Sequence, residues 1–407
     1  MTAGQALVRQ PHATVYRDVT LALFAAGMAT FMSLYYVQGL LPAFSAEFAV
    51  TPTISAMAVS LTTGLLALTI VPVSMLSERF GRVPVMVVSA LASTSIGLLL
   101  PWSPNFEILL AGRAVQGLLC AGVPAVAMAY LVEEVDRRRV GAAMGIYVAG
   151  TSFGGLVGRL IPTIGLDIMT WNWAFQSAAV VALVFAVVFA WRVPSSASFI
   201  PRRVSMRHMV SGLAEHLRNH SLLCLFGLGF LLLGAFMTVY NYLAYRLLEP
   251  PFSLSPSIVG SVFLLYLAGT AASALAGRFS DRVGRGYVLV GALVVMAIGL
   301  VTSLSEVLSV TLVGVALTTA GFFAAHSIAS GWVPIRAARN RSGASSLYLL
   351  SYYLGGSVVS VLGGPIFAAH GWAGLVVYLA AVLCVGGVIA LLLFRISASE
   401  VVAEPVR

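Results

Sequence analysis

Long apolar runs alternate with short polar connectors along almost the whole chain. Twelve such runs follow a polar start, each near the roughly 20 residues a helix needs to cross about 30 Å of hydrocarbon. They fall at 19–43, 53–76, 84–101, 107–132, 140–164, 172–191, 220–246, 256–278, 286–304, 307–333, 342–368 and 373–394. The first run is longer than a signal-peptide core and no small-residue cleavage site follows it, so it is expected to be retained. The chain is 59% hydrophobic and 9% charged, where a soluble protein carries about 25% charged residues. That leaves too little polar surface to face water all round. The expected fold class is an all-α membrane protein of twelve transmembrane helices.

Charge then orients the helices. The net charge is +9, which on its own would admit nucleic acid, but its distribution follows the loops. All 23 basic residues are arginine, and 20 of them fall on one side. That side carries Arg79 and Arg82, then Arg137, Arg138 and Arg139, then Arg282 and Arg285, then Arg336, Arg339 and Arg341. The other carries Glu47, Glu107, Asp167, Glu249 and Glu306. Short arginine-rich loops stay cytoplasmic, so both termini are expected inside a bacterial inner membrane, with no nucleic-acid partner. Trp102, Trp171, Trp173, Trp191, Trp332 and Trp372 all fall near expected helix ends, as interfacial aromatic belts require. Cys120, Cys224 and Cys384 lie inside apolar runs without a C-x-x-C spacing, and read as small buried hydrophobes rather than metal ligands or disulfides.

The chain repeats. Ser74-Met-Leu-Ser-Glu78-Arg79-Phe-Gly81-Arg82 and Gly277-Arg-Phe-Ser-Asp281-Arg282-Val-Gly284-Arg285 lie 203 residues apart, each between two apolar runs. Tyr36 matches Tyr240, Thr51-Pro52 matches Ser255-Pro256 and Gly117 matches Gly321, each at a shift of 204. The repeat divides the chain into a six-helix half at 1–191, a basic linker at 192–219 and a second six-helix half at 220–407. The linker reads either as a tether or as carrying a short amphipathic helix around 206–217.

The repeated turn resembles the G-x-x-x-D-R-x-G-R loop of the major facilitator superfamily, which follows the second and the eighth helix. The second copy matches in full. The first carries Ser74 for the leading glycine and Glu78 for the aspartate. The resemblance covers nearly the whole chain. It implies two pseudo-symmetric halves that rock around a midplane substrate site. It also implies that the turn latches the cytoplasmic side, with Glu78 near the start of helix eleven, Asp281 near the start of helix five, and Arg82 meeting Glu133 or Glu134. Arg113-x-x-Gln116-Gly117 resembles the family's fourth-helix pattern, whose arginine is tied to proton coupling in drug exporters. Gly145, Gly150, Gly154, Gly155 and Gly158 resemble the fifth-helix glycine pattern of antiporters, with Gly154-Gly155 standing where that pattern has a Gly-Pro pair. Helices one and seven line the cavity in this family. Tyr36, Gln38, Tyr240, Asn241 and Tyr242 are therefore cavity candidates, and the alternative places their polar tips in an interfacial belt.

An intramembrane arginine is costly and faces a cavity or a partner. Arg113 is read as a cavity and coupling residue, or as a brace held by backbone carbonyls. Arg159 either holds a substrate anion or snorkels to the outer surface. His326 is the one histidine inside an expected span and either titrates or packs. No acid lies inside the expected spans, so His326 or Glu47 is the conceivable proton carrier. Gly117, Gly150, Gly154, Gly155 and Gly158 are read as close-packing positions. No phosphate-binding loop, catalytic pair or cofactor motif is visible, and a membrane enzyme is not expected. The expected function is proton-coupled export of small amphipathic organic compounds by a monomer. One alternative is transport of an organic anion or nutrient through Arg113, Arg159 and His326. A second is a membrane sensor that transports nothing.

Overall fold

The computed structural model describes residues 13–136, 139–196, 213–337 and 339–403. Helices account for the regular structure of these residues, and no strand occurs among them. The membrane-spanning helices are α1 (Tyr16–Glu47), α2 (Pro52–Phe80), α3 (Arg82–Trp102), α4 (Phe106–Glu134), α5 (Val140–Gly165), α6 (Trp171–Arg192), α7 (His220–Leu248), α8 (Pro256–Val283), α9 (Arg285–Thr302) and α10 (Leu308–Arg336), followed by a long stretch, Gly343–Ile396. That last stretch is 54 residues, about 80 Å at 1.5 Å per residue, far more than a bilayer core requires. Gly371 breaks it with φ 59° and ψ −154°. The chain doubles back there, since the Tyr378 hydroxyl donates to the Val359 carbonyl at 3.1 Å. The halves of the hairpin are α11 (343–370) and α12 (372–396), which completes twelve crossings close to the expected ones.

Local chemistry sets the helix starts. Thr51 accepts from the Ile54 N–H ahead of Pro52, Asn105 from the Ile108 N–H at 2.9 Å and Asn219 from the Leu222 N–H at 3.1 Å, each satisfying an otherwise orphan donor. The two charged turns are reversed by Gly81 (φ 102°, ψ 151°) and Gly284 (φ 94°, ψ 145°), a region that only glycine occupies readily. The sequence repeat is thus also a repeat of backbone conformation.

Small residues set the distances within each half. A Cβ on Gly150, Gly154 or Gly158 would lie 2.4 Å from Phe24 O, 2.7 Å from Met28 O and 2.8 Å from Met32 Cα. This one face of α5 therefore lies directly on the α1 backbone. Gly355 of α11 meets Phe230 of α7 in the equivalent way in the second half.

The halves meet at one end. Thr63 and Ser357 share a hydrogen bond at 2.9 Å and Ser357 donates to Ser60 O at 2.7 Å, joining α2 to α11. Tyr245 of α7 meets Ser45 at 2.7 Å and Leu41 O at 2.8 Å. A Cβ on Gly260 of α8 would lie 2.1 Å from Thr163 Oγ1 of α5. Among the described residues, every hydrogen bond between the halves lies in the part of the bundle remote from the termini. At the termini end, a Cβ on Gly141 or Gly145 of α5, or on Gly277 of α8, would meet nothing within 4 Å. The bundle is closed at the remote end and open at the termini end. Part of the linker is helical at 213–216. Residues 206–212 of the expected 206–217 segment, Arg207 among them, lie outside the described residues, as do Arg202, Arg203, Arg137 and Arg138.

Candidate functional site

The site is organised by a change of winding in α1. Residues Tyr36–Leu40 form a 3-10 turn, which rotates neighbouring side chains differently from an α-helix. Tyr36 is turned into its own half: its hydroxyl accepts from Gln116 Nε2 at 2.5 Å and its ring meets Phe175 with centroids 4.8 Å apart. Its repeat mate Tyr240 does the same in the second half, sharing a hydrogen bond with Thr319 at 2.8 Å. Gln38, two residues on, is turned toward the other half. Its Nε2 donates to Asn241 Oδ1 at 2.6 Å, and Asn241 Nδ2 donates on to Ser360 Oγ at 2.7 Å. On its other side Gln38 Oε1 accepts from Arg159 Nε at 2.6 Å. Arg159, Gln38, Asn241 and Ser360 therefore form one polar thread through α5, α1, α7 and α11, across the interface between halves.

The two intramembrane arginines differ. Arg113 is completely buried and held through every nitrogen. Its Nε donates to Ala58 O at 2.9 Å, Nη1 to Ser33 O at 2.8 Å and to Gln116 Oε1 at 2.5 Å, and Nη2 to Leu34 O at 2.8 Å. This is the bracing arrangement, knitting α1, α2 and α4 through four of the five guanidinium N–H groups. Arg159 does not snorkel: it is 1% exposed, because the second half covers the depth at which α5 alone would meet lipid or water. Besides Gln38 it donates from Nη1 to Gly155 O at 2.5 Å, and its Nη2 has no hydrogen-bond partner. Three rings surround the guanidinium carbon, Tyr35 at 4.1 Å, Tyr266 at 4.9 Å and Phe263 at 5.2 Å from their centroids. The first ring belongs to one half and the other two to its partner half.

The remaining candidates lie apart. Tyr242 donates to Ser360 O at 3.2 Å and lies against Phe367, within the second half. His326 of α10 shares a hydrogen bond with the Tyr348 hydroxyl at 3.0 Å and stacks on Tyr352 at 4.4 Å. Glu47 is exposed at the end of α1, on the surface rather than in the interior. Tyr266, Phe263 and Ser360 carried no signal beyond being polar or aromatic residues in apolar runs, and were not singled out. An apolar cavity of about 270 Å³ opens beside Pro42, Thr163, Leu247, Val259 and Phe263 at the closed end and is lined by no charged group.

The two charged turns are in different states. Arg82 Nη2 pairs with Glu78 at 2.6 Å and with Glu133 at 3.0 Å, and Nη1 donates to Ser77 at 2.7 Å. The expected contact to Glu133 is present. Glu78 engages Arg82 of its own turn rather than the start of α11, and Glu134 accepts from Ser196. Arg79 is exposed over Phe80. Asp281 and Arg282 are exposed, Arg285 is half-buried, and no ion pair among the described residues involves them. The contact expected between Asp281 and the start of α5 is absent in this open conformation.

Comparison with known proteins agrees with this architecture. The family model for the Major Facilitator Superfamily matches residues 23–249 and 243–406. The chain is 40% identical over 362 residues to an uncharacterised MFS-type transporter, YybF of Bacillus subtilis (strain 168), covering 89% of this chain and 90% of the other. It is 41% identical over 371 residues to the inner membrane transport protein YnfM of Escherichia coli (strain K12), covering 91% and 89%. A more distant relative, 26% identical over 74% of each chain, is the chloramphenicol efflux pump Rv0191 of Mycobacterium tuberculosis (strain ATCC 25618 / H37Rv). Among solved structures, the inward-facing, occupied form of a bacterial homologue of the human lysosomal transporter Spinster superposes with a TM-score of 0.72 at 14% identity, over 93% of this chain and 97% of that one. Two six-helix halves with matched charged turns, and a family match spanning both, establish that the chain belongs to the Major Facilitator Superfamily and is a multi-pass membrane transporter.

Proposed function

We propose that this protein exports small amphipathic organic compounds across a bacterial inner membrane in exchange for protons, as a monomer, by alternating access. The observation that carries the reading is the one-sided join between the halves. They are bonded at the remote end and apart at the termini end, so rocking about the join exposes the interior to one side at a time. With both termini cytoplasmic, as the arginine bias argues, the open end faces the cytoplasm and is placed to load a substrate for export. The interior suits amphipathic ligands, since Tyr35, Tyr266 and Tyr352 offer apolar faces with hydroxyl tips. The similarity to a chloramphenicol efflux pump supports the direction. In this reading Arg113 is a brace and His326 is the proton carrier, because arginine keeps its proton and Glu47 lies outside the interior.

The test is flux in proteoliposomes with an imposed pH gradient, over cationic, neutral and anionic aromatic compounds. Accumulation of one class that follows the gradient and collapses with a protonophore is expected. Flux that ignores the gradient would replace antiport by facilitated diffusion, and no flux for any class would return the sensor reading.

A further inference from the structure

Arg159 is a buried cation with no carboxylate paired to it among the described residues. Every Asp and Glu of the described spans lies within about a turn of a helix end, and no ion pair among the described residues reaches Arg159. A buried charge without a partner is unfavourable, and native proteins keep one only where something else pairs with it. Arg113 is the internal contrast, since all of its nitrogens are engaged. Arg159 Nη2 makes no hydrogen bond of good geometry, and neither does the buried hydroxyl of Tyr266, whose ring lies 4.9 Å from the same guanidinium carbon and whose side chain interacts with it. These two polar groups, one from each half, are thus neighbours at the interface. Gly155 leaves room for the guanidinium, since a Cβ there would stand 3.1 Å from Arg159 Nη1 and 3.8 Å from the Tyr35 ring.

We infer that Arg159 and Tyr266 form the anion-holding end of the substrate site, and that the substrates are aromatic or similarly amphipathic monocarboxylates. The inference rests on the transport reading above and narrows its substrate class. A carboxylate receives one hydrogen bond from Nη2 and one from the Tyr266 hydroxyl, a charge-assisted pair, while the rings that flank the guanidinium give apolar surroundings to the rest of the molecule. Two donors among apolar rings match a small planar anion of single charge. A phosphate, with more oxygens to satisfy, would be left under-bonded here. A cation would add a second positive charge beside the first.

Binding to the purified full chain in nanodiscs tests this with matched pairs: benzoate, cinnamate and 2-naphthoate, each against its primary amide. Each acid should bind about tenfold or more tighter than its amide, the discrimination expected of a buried charge-assisted contact. Arg159→Gln should erase that preference. Tyr266→Phe, which removes a single oxygen, should reduce it about threefold or more and carries the test by itself if Arg159→Gln does not yield a monodisperse protein. Equal binding of acids and amides by the unmodified protein, or an unchanged preference in Tyr266→Phe, overturns the assignment. Flux of the same compounds separates the two readings. Acid-selective binding without flux leaves the site and removes the transport reading, whereas flux of amides without any acid preference does the reverse.

Discussion

Arg113 and Arg159 are both buried arginines inside the membrane, yet one has every nitrogen engaged and the other has Nη2 unpartnered. The difference comes from what each can reach. Arg113 lies between α1, α2 and α4 of one half, where the carbonyls of Ser33, Leu34 and Ala58 point at it. Arg159 lies where the halves meet, so its surroundings change whenever they move.

Arg113 is therefore expected to act on stability. Hydrogen bonds to a charged group contribute about 1.5–3 kcal/mol each, and Arg113→Ala removes several together, so a loss of about 3 kcal/mol or more is expected. Thermal unfolding in detergent and the monodisperse yield are the measurements. Arg113→Lys should recover little, since one ammonium cannot reach the acceptors a planar fork spans. A stable Arg113→Ala protein that has lost only its response to a pH gradient would restore the coupling role.

Asp281 is exposed and unpaired in the open conformation, so Asp281→Asn should leave thermal stability of this state unchanged. If Asp281 docks at the start of α5 when the termini end closes, its loss removes about 0.3–2 kcal/mol from the closed state only. That shifts the balance about two- to thirtyfold. Flux should slow, and a cysteine replacing Gly145, which faces open space, should label faster. Unchanged flux and labelling would remove the latch.

Most of the fold was legible because hydropathy and run length determine which segments cross a bilayer. The expected 342–368 and 373–394 runs even separated the helices that the structure joins continuously except at Gly371. The repeated turn was legible because Gly81 and Gly284 occupy a backbone region that few other residues tolerate. The site was legible in part. Gln38 and Asn241 were singled out and are joined, but Tyr36 was grouped with them and points the other way. The 3-10 turn at Tyr36–Leu40 causes this, and apolar periodicity carries no trace of it in a segment buried all round. The fate of Arg159 was not legible either, because depth along α5 does not reveal that the other half covers it.

His326 offers a separate test of proton coupling. Its ring shares a hydrogen bond with Tyr348 and stacks on Tyr352, and it is the histidine within the described spans that faces other aromatic groups in the interior. His326→Ala should abolish the dependence of transport on the pH gradient while facilitated movement down a substrate gradient continues. Tyr348→Phe removes only the hydrogen bond and should displace the pH midpoint of transport without abolishing coupling. Persistence of gradient-driven accumulation in His326→Ala would assign the proton to the substrate itself or to Glu47.

The thread from Arg159 through Gln38 and Asn241 to Ser360 makes a prediction about conformational balance. It is made only while the remote end is closed, since its bonds cross from α1 to α7 and on to α11. Asn241→Leu has similar volume and cannot bond Gln38, so it takes the oxygen acceptor from the buried Gln38 Nε2 while Arg159 keeps its bond to Oε1, at a cost of about 1–3 kcal/mol. That cost falls on the state captured here and not on the one in which the halves part at this end. The remote end should therefore open more often, by about five- to a hundredfold at the corresponding energies. Cysteine labelling from the remote side at Thr53, whose side chain meets the Gly364 position across the interface, should accelerate accordingly. Gln38→Leu combined with Asn241→Leu removes both partners of that bond but also the acceptor of Arg159 Nε, so it should restore part of the closure. A double variant that labels as fast as Asn241→Leu would show that the thread does not hold the remote end shut, and would leave that task to the Thr63–Ser357 contact and the Gly260–Thr163 approach.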